Sequence, residues 1–311
     1  MDAIAVLLDA PERLSLRPLA LKPLEPADGV VDIRWSGISS GTEKLLWTGR
    51  MPSVPGMGYP LVPGYESVGE IVDAGVEAGG RVGEWVFVPG AACWADARSL
   101  FGGTARRVTI AGARAIPLPR AIGSDGILLA LAATARHAIA GGAMPELVVG
   151  HGILGRLIAR IVVASGAPAP TVWETRADRL AADGTSPVLH PDADARRDYR
   201  TVCDASGDPA ILDTAIGRIA RGGEIVLAGF YDRPLSFAFP PAFMREARIR
   251  IAAEFTPADM AAVVALVEAG RLRLDGLVSH VRPAAEAAEA YPIAFEDPAC
   301  LKMVLDWSGC A

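Results

Sequence analysis

Residues 146–160 read Glu146-Leu-Val-Val-Gly150-His-Gly152-Ile-Leu-Gly155-Arg-Leu-Ile-Ala-Arg160, a G-x-G-x-x-G set between an apolar strand and a helical apolar period. Gly150 permits a tight turn, Gly152 lets the backbone approach a pyrophosphate, and Gly155 lets the helix close on the strand. The exposed amides of the loop and first turn (His151, Ile153, Leu154) and the positive helix end then face phosphates. A chain with 33 glycines produces such triplets by chance, so the context carries the reading. The next strand, 171–174, ends in Glu174, 19 residues past Gly155. A carboxylate there accepts hydrogen bonds from ribose hydroxyls and repels a 2′-phosphate, which favours NAD over NADP. Arg176, two positions on, keeps NADP open. His151 reads as a backbone spacer.

Working outward, strands and helices alternate. Strands are expected at 201–205, 224–228 and 248–253, and helices at 153–164, 178–183 and 210–219. Ser206, Gly229 and Phe230 follow strand ends, where ligands of a doubly wound sheet bind, so they join the cofactor side. Thr256 and Pro257 open a helix that closes at Gly270. A strand is expected at 277–281, a helix at 284–291 and a last apolar run at 303–305. Before all of this, the first ~120 residues carry short apolar runs at 4–8, 29–33, 70–72 and 84–88, divided by Gly and Pro, as in an antiparallel β domain. An alanine- and leucine-rich stretch, 123–140, reads as a linking helix.

The 311 residues suit two domains, and 51% hydrophobic content excludes wholesale disorder. A net charge of −6 argues against a nucleic-acid partner. No apolar run is long enough to span a bilayer, and Asp2, Asp9 and Glu12 do not fit a signal peptide, so a cytoplasmic protein is expected. The cysteines at 93, 203, 300 and 310 and histidines at 137, 151, 190 and 280 have neither metal-ligand nor disulfide spacing.

Ser36-Gly-Ile-Ser-Ser-Gly-Thr-Glu-Lys44 resembles the catalytic loop of medium-chain dehydrogenases/reductases, and Pro63-Gly-Tyr-Glu-Ser-Val-Gly69 resembles their P-G-H-E-x-x-G. The longer stretches 39–50 and 56–66, the latter beginning at Gly56, are similar to a branch of that superfamily acting in bacteriochlorophyll biosynthesis. The resemblance implies an α/β protein with a GroES-like β-rich catalytic domain, 1–122 and 257–311, and a Rossmann doubly wound parallel-sheet domain, 123–256. It further implies oxidation of a hydroxyethyl side chain on a tetrapyrrole with NAD. A homodimer and transient association with membranes or partner enzymes stay open. So do two alternatives, a zinc-free NADPH-dependent quinone or enoyl reductase and a non-catalytic dinucleotide- or pigment-binding module.

In zinc-dependent relatives the loop cysteine and the histidine of P-G-H-E bind the metal; here those positions read Ser40 and Tyr65. Neutral Ser and Tyr are poor zinc ligands, so no metal is expected. A general base or hydrogen-bonding group must then take the hydroxyl proton. Tyr65 is the first candidate, with Lys44 as the cation that would lower its pKa. Ser40, Thr42 and Glu66 would orient the hydroxyl or relay the proton. Glu66 reads equally as a loop brace, and Glu43 and Lys44 equally as solvated charges. Trp47, Met51, Met57, Tyr59 and Trp94 are candidates for an apolar substrate cleft.

Overall fold

A computed structural model of the chain describes residues 1–52, 55, 57–231 and 233–310. Gly56, which opens the second quoted loop, and Ala311, which ends the expected first domain, lie outside the described residues. The fold is α/β, in two compact units: Met1–Ala130 with Asp275–Ala311, and Leu131–Leu274.

In the second unit, six parallel strands lie in the order Val188–Leu189, Thr171–Trp173, Leu147–Val149, Tyr199–Asp204, Ile219–Leu227, Arg248–Ile251. Chain order runs outward in both directions from Leu147–Val149, so the switch point falls between that strand and Tyr199–Asp204. All three residues of Leu147–Val149 are buried, as a central parallel strand covered on both faces requires. The helix Ile153–Ala164 follows it and buries Leu157, Ile158, Ile161 and Val162. Full burial of each contributes roughly 1.5–3 kcal/mol.

The expected helix at 178–183 is only a 3₁₀ turn, Ala177–Arg179. So short a segment cannot offset the cost of helix nucleation. Asp183 is instead used as a side-chain partner, binding Arg160 at 3.1 Å and the Thr185 amide at 3.0 Å. The linking stretch is also not one helix: a 3₁₀ segment, Arg120–Leu128, is interrupted at Gly123 before the α-helix Leu129–Ile139.

The helix Pro257–Glu268 has Thr256 and Asp259 as a reciprocal capping box. It lies in the second unit, whereas the sequence reading ends that domain at 256. Side chains explain the difference. Asp259 also takes a hydrogen bond from His137 at 2.8 Å, and Arg271 and Arg160 tie the segment after the helix to Ile153–Ala164.

The first unit is a β-rich body. Its larger sheet runs His280–Pro283, Met303–Asp306, Asp28–Ile38, Ser67–Ala74, Trp85–Val88, Ile116–Pro117, with Arg107–Ala111 paired to Asp28–Ile38. A second sheet runs Arg13–Ala20, Asp2–Ala10, Leu61–Val62, Arg98–Ser99. The strand expected at 277–281 forms at His280–Pro283. Because Met303–Asp306 pairs with Asp28–Ile38, the returning chain brings Lys302 to Glu66 and the helix Ala287–Glu296 to Glu43. Trp94, a candidate for the substrate cleft, is instead a core residue whose indole N–H donates to the Gly102 carbonyl at 3.0 Å. Trp47, Met51, Met57 and Tyr59 pack half-buried against the same core. Among the described residues no helix is long and apolar enough to cross a membrane.

Candidate active site

In the second unit, the glycine loop lies at the carboxyl end of the sheet. Gly150 has φ +96°, the left-handed region that glycine adopts freely. A Cβ on Gly155 would overlap the Gly150 carbonyl oxygen, whereas one on Gly152 would find nothing nearer than Arg179 at 3.8 Å. The first glycine therefore makes the turn, the third makes the close approach of helix to strand, and the second leaves open space at the helix start. The amides of Ile153 and Leu154 open that helix with no side-chain cap.

Glu174 is buried at the end of the neighbouring strand. Its carboxylate accepts from the His151 amide at 3.1 Å and from the Thr175 and Arg176 amides at 2.8 and 2.9 Å. The side chain of Arg176 is turned to Asp178, at 2.8 Å.

His151 is more than a spacer. Its ring is buried, its Nδ1 meets the Arg179 carbonyl at 2.8 Å, and burial pushes its pKa down, so the neutral ring donates there. Ser206 and Gly229 gather at the next strand ends. Ser206 Oγ donates to Asp204 at 2.6 Å, its backbone lies 3.1 Å from where a Gly150 Cβ would be, and Gly229 crowds Gly207. Asp204 and Tyr231 carry no sequence signal that marks them. Asp204 is fully buried, burial raises its pKa, and the Tyr231 hydroxyl donates to it.

These residues fit a nicotinamide dinucleotide: a cradle closed by glycines, free helix amides for phosphate and a buried acid one strand away. Gly155→Ala forces the helix away from the strand, a strain of about 1–3 kcal/mol. Dinucleotide affinity, read by fluorescence titration, should fall about tenfold or more alongside a lowered Tm.

In the first unit, polar side chains converge. The Tyr65 hydroxyl is 2.8 Å from Ser39 Oγ, and its ring packs edge-on to Phe101. Ser39 is buried and Ser40 exposed, so Ser39, not Ser40, stands opposite Tyr65. The short helix Thr42–Trp47 begins just after them. Burial, then the charge of Glu66, pushes the Tyr65 phenol well above its usual pKa, with hydrogen bonds from Ser39 and Thr42 acting the other way. Lys44 does not lower it as expected: its ammonium donates to the Phe295 carbonyl at 3.2 Å. Tyr65 is therefore a protonated hydrogen-bonding group rather than a resting base.

Glu66 is fully buried and ion-paired with the buried Lys302, while its other oxygen has no hydrogen-bond partner. Burial raises its pKa and Lys302 works against that. Glu43, which reads equally as a solvated charge in the sequence, is fully buried. It accepts from the Tyr291 hydroxyl at 2.7 Å and from the Ser39 amide at 3.3 Å. Sequence reasoning passes over Ser39, Tyr291 and Lys302; the last two lie more than 230 residues from their partners.

Zinc does not fit this donor set. Ser40 and Tyr65 are neutral, Ser40 is exposed and Tyr65 is bonded to Ser39, and among the described residues no group of three or more His, Cys, Asp or Glu could hold a metal ion.

No family model matches the chain. It is 56% identical over 310 residues, 99% of each chain, to the 2-desacetyl-2-hydroxyethyl bacteriochlorophyllide A dehydrogenase of Rhodobacter capsulatus. It is 54% identical over the full length of both chains to the protein of that name from Cereibacter sphaeroides. Among solved structures, acetophenone reductase from Geotrichum candidum in complex with NAD superposes with a TM-score of 0.83 at 20% identity, covering 98% of this chain and 97% of that one. The chain therefore belongs to the medium-chain dehydrogenase/reductase superfamily of alcohol dehydrogenases, in its 2-desacetyl-2-hydroxyethyl bacteriochlorophyllide A dehydrogenase family.

Proposed function

We propose that this chain oxidises the 3-(1-hydroxyethyl) group of a bacteriochlorophyllide or chlorophyllide to 3-acetyl, with NAD as hydride acceptor and without catalytic zinc. The substrate class follows the names of the two full-length relatives. The observation that carries the metal-free part is the pair of residues at the positions where zinc-dependent relatives carry metal ligands: Ser40 is neutral and exposed, and the Tyr65 hydroxyl is taken up by a 2.8 Å hydrogen bond to Ser39. Glu174 supports NAD, since a buried carboxylate already gathering three amides disfavours a 2′-phosphate.

Gly150, His151, Gly152, Ile153, Leu154 and Gly155 would hold the pyrophosphate, Glu174 the ribose, and Ser206 and Gly229 the wall beside the loop. Bound NAD supplies the acceptor for the hydride. The chain's own task is the hydroxyl proton. A protonated Tyr65 hydrogen-bonds the substrate oxygen, Ser39 and Thr42 orient the phenol, and Glu66 with Lys302 stiffens the loop beneath it. Ser40, exposed, and Lys44, turned to Phe295, take no part.

Purified protein, given the 3-(1-hydroxyethyl) pigment and NAD, should develop the red-shifted band of the acetyl product together with NADH, at the same rate with and without a chelator. Chelator-sensitive turnover overturns the metal-free part. No band in the presence of bound dinucleotide overturns the substrate.

A further inference from the structure

The turn that carries Ser39 does not hold itself in place. The helix that follows it, Thr42–Trp47, has six residues, against the roughly 12–15 an isolated helix needs, and its N-cap, Gly41, has no side chain to offer. Support comes from the helix Ala287–Glu296. Tyr291 and Phe295 lie four residues apart on one face of it, as Glu43 and Trp47 do on the short helix. The buried Tyr291 hydroxyl donates to Glu43 Oε2 at 2.7 Å, and the Trp47 ring meets Tyr291 and Phe295 at 6.0 and 6.5 Å between centroids. Lys44 adds its bond to the Phe295 carbonyl at 3.2 Å. The grip then reaches the hydroxyl pair in two further bonds. The other Glu43 oxygen accepts from the Ser39 amide at 3.3 Å, and Ser39 Oγ meets the Tyr65 hydroxyl at 2.8 Å. An amide so held fixes position and passes no proton.

We infer that Tyr291 is a positioning residue for Tyr65: its bond to Glu43 fixes the main chain at Ser39, and with it the phenol that meets the substrate oxygen. This rests on the oxidation proposed above. A phenol that merely fills the core would affect stability alone. Tyr291→Phe separates the two roles, because the ring still packs on Trp47 and Phe295 while the hydroxyl bonded to Glu43 is removed.

The test is steady-state oxidation of the hydroxyethyl pigment with NAD by the full-length protein. Tyr291→Phe should lower kcat by about 10- to 100-fold, the cost of a slightly misplaced reacting group, with KM changed by less than about twofold. Glu43→Leu removes both bonds and should lower kcat at least as far. The double variant should be no slower than Glu43→Leu alone, since both changes cut one chain of contacts. Glu43→Gln keeps an acceptor for the Ser39 amide and a polar partner for the phenol, so it should bring kcat back to within about threefold of the parent. Tyr65 also gives a readout free of pigment. With tyrosine labelled at Cζ for NMR, its resonance, assigned by Tyr65→Phe among the five tyrosines, should shift in Tyr291→Phe and stay near the parent position in Glu43→Gln. Unchanged kcat in Tyr291→Phe, a Glu43→Gln protein as slow as Glu43→Leu, or a Tyr65 resonance unmoved by Tyr291→Phe would each overturn the role of Tyr291. A parent protein that oxidises no pigment overturns the reading of the reaction instead, and the resonance then still decides whether Tyr291 sets Tyr65.

Discussion

Replacing Lys302 with Met should lower folding stability by about 3–5 kcal/mol at neutral pH, because it leaves the Glu66 carboxylate buried without its countercharge. Glu66 is poorly placed to absorb the loss: one of its oxygens already lacks a partner, and Gly37 packs so closely that a Cβ there would overlap the other. The pH dependence has a definite sign. Burial sets the folded-state pKa of Glu66 above its unfolded value, and removing Lys302 raises it further. Ionisation then costs stability, so Lys302→Met should regain stability as pH falls through that raised pKa and lose it as pH rises. Adding Glu66→Gln to Lys302→Met should restore most of the loss, since neutralising both partners removes the stranded charge. Urea unfolding midpoints at pH 5.5 and 8 for the two variants measure this. A single variant as stable as the parent at pH 8 would show that the pair contributes nothing.

Tyr65→Phe should reduce kcat for pigment oxidation by about 10²–10⁴, the range for loss of one proton-transferring group. Dinucleotide affinity should stay within about twofold, because the cradle around Gly150 and Glu174 is built within the other unit. The packing of the ring against Phe101 survives the change, so Tm should move little. What is lost is the hydroxyl bonded to Ser39 at 2.8 Å. Steady-state kinetics beside a fluorescence titration of NADH separates the two effects, and unchanged turnover would remove Tyr65 from the mechanism.

The glycine loop is legible in the sequence because its logic is local. Gly150, Gly152 and Gly155 act on one strand–turn–helix, and Glu174 lies one strand further on, so spacing alone carries the information. The same holds for the parallel character of the sheet, written in the alternation of strands and helices, and for the Thr256 cap. Where distant partners compete with local signals, spacing misleads. Residues 178–183 have helix-forming composition, but Asp183 is engaged by Arg160 and Thr185, and a single turn remains. Two adjacent serines look interchangeable; burial, which no spacing records, selects Ser39 over Ser40.

By itself, then, the sequence determined the α/β architecture, the glycine-cornered strand–turn–helix and the two loops whose residues depart from a zinc-ligand pattern, because each is written in neighbouring residues. Tertiary structure alone decided which cation serves the buried acids and which acid is left without one. Lys44, four residues from Ser40, turns to a backbone carbonyl, while Lys302 returns from 236 residues away to pair with Glu66 and Tyr291 crosses 248 residues to hold Glu43. A charge finds its partner by where β-pairing carries the chain, here Met303–Asp306 beside Asp28–Ile38, and desolvation then sets its proton affinity.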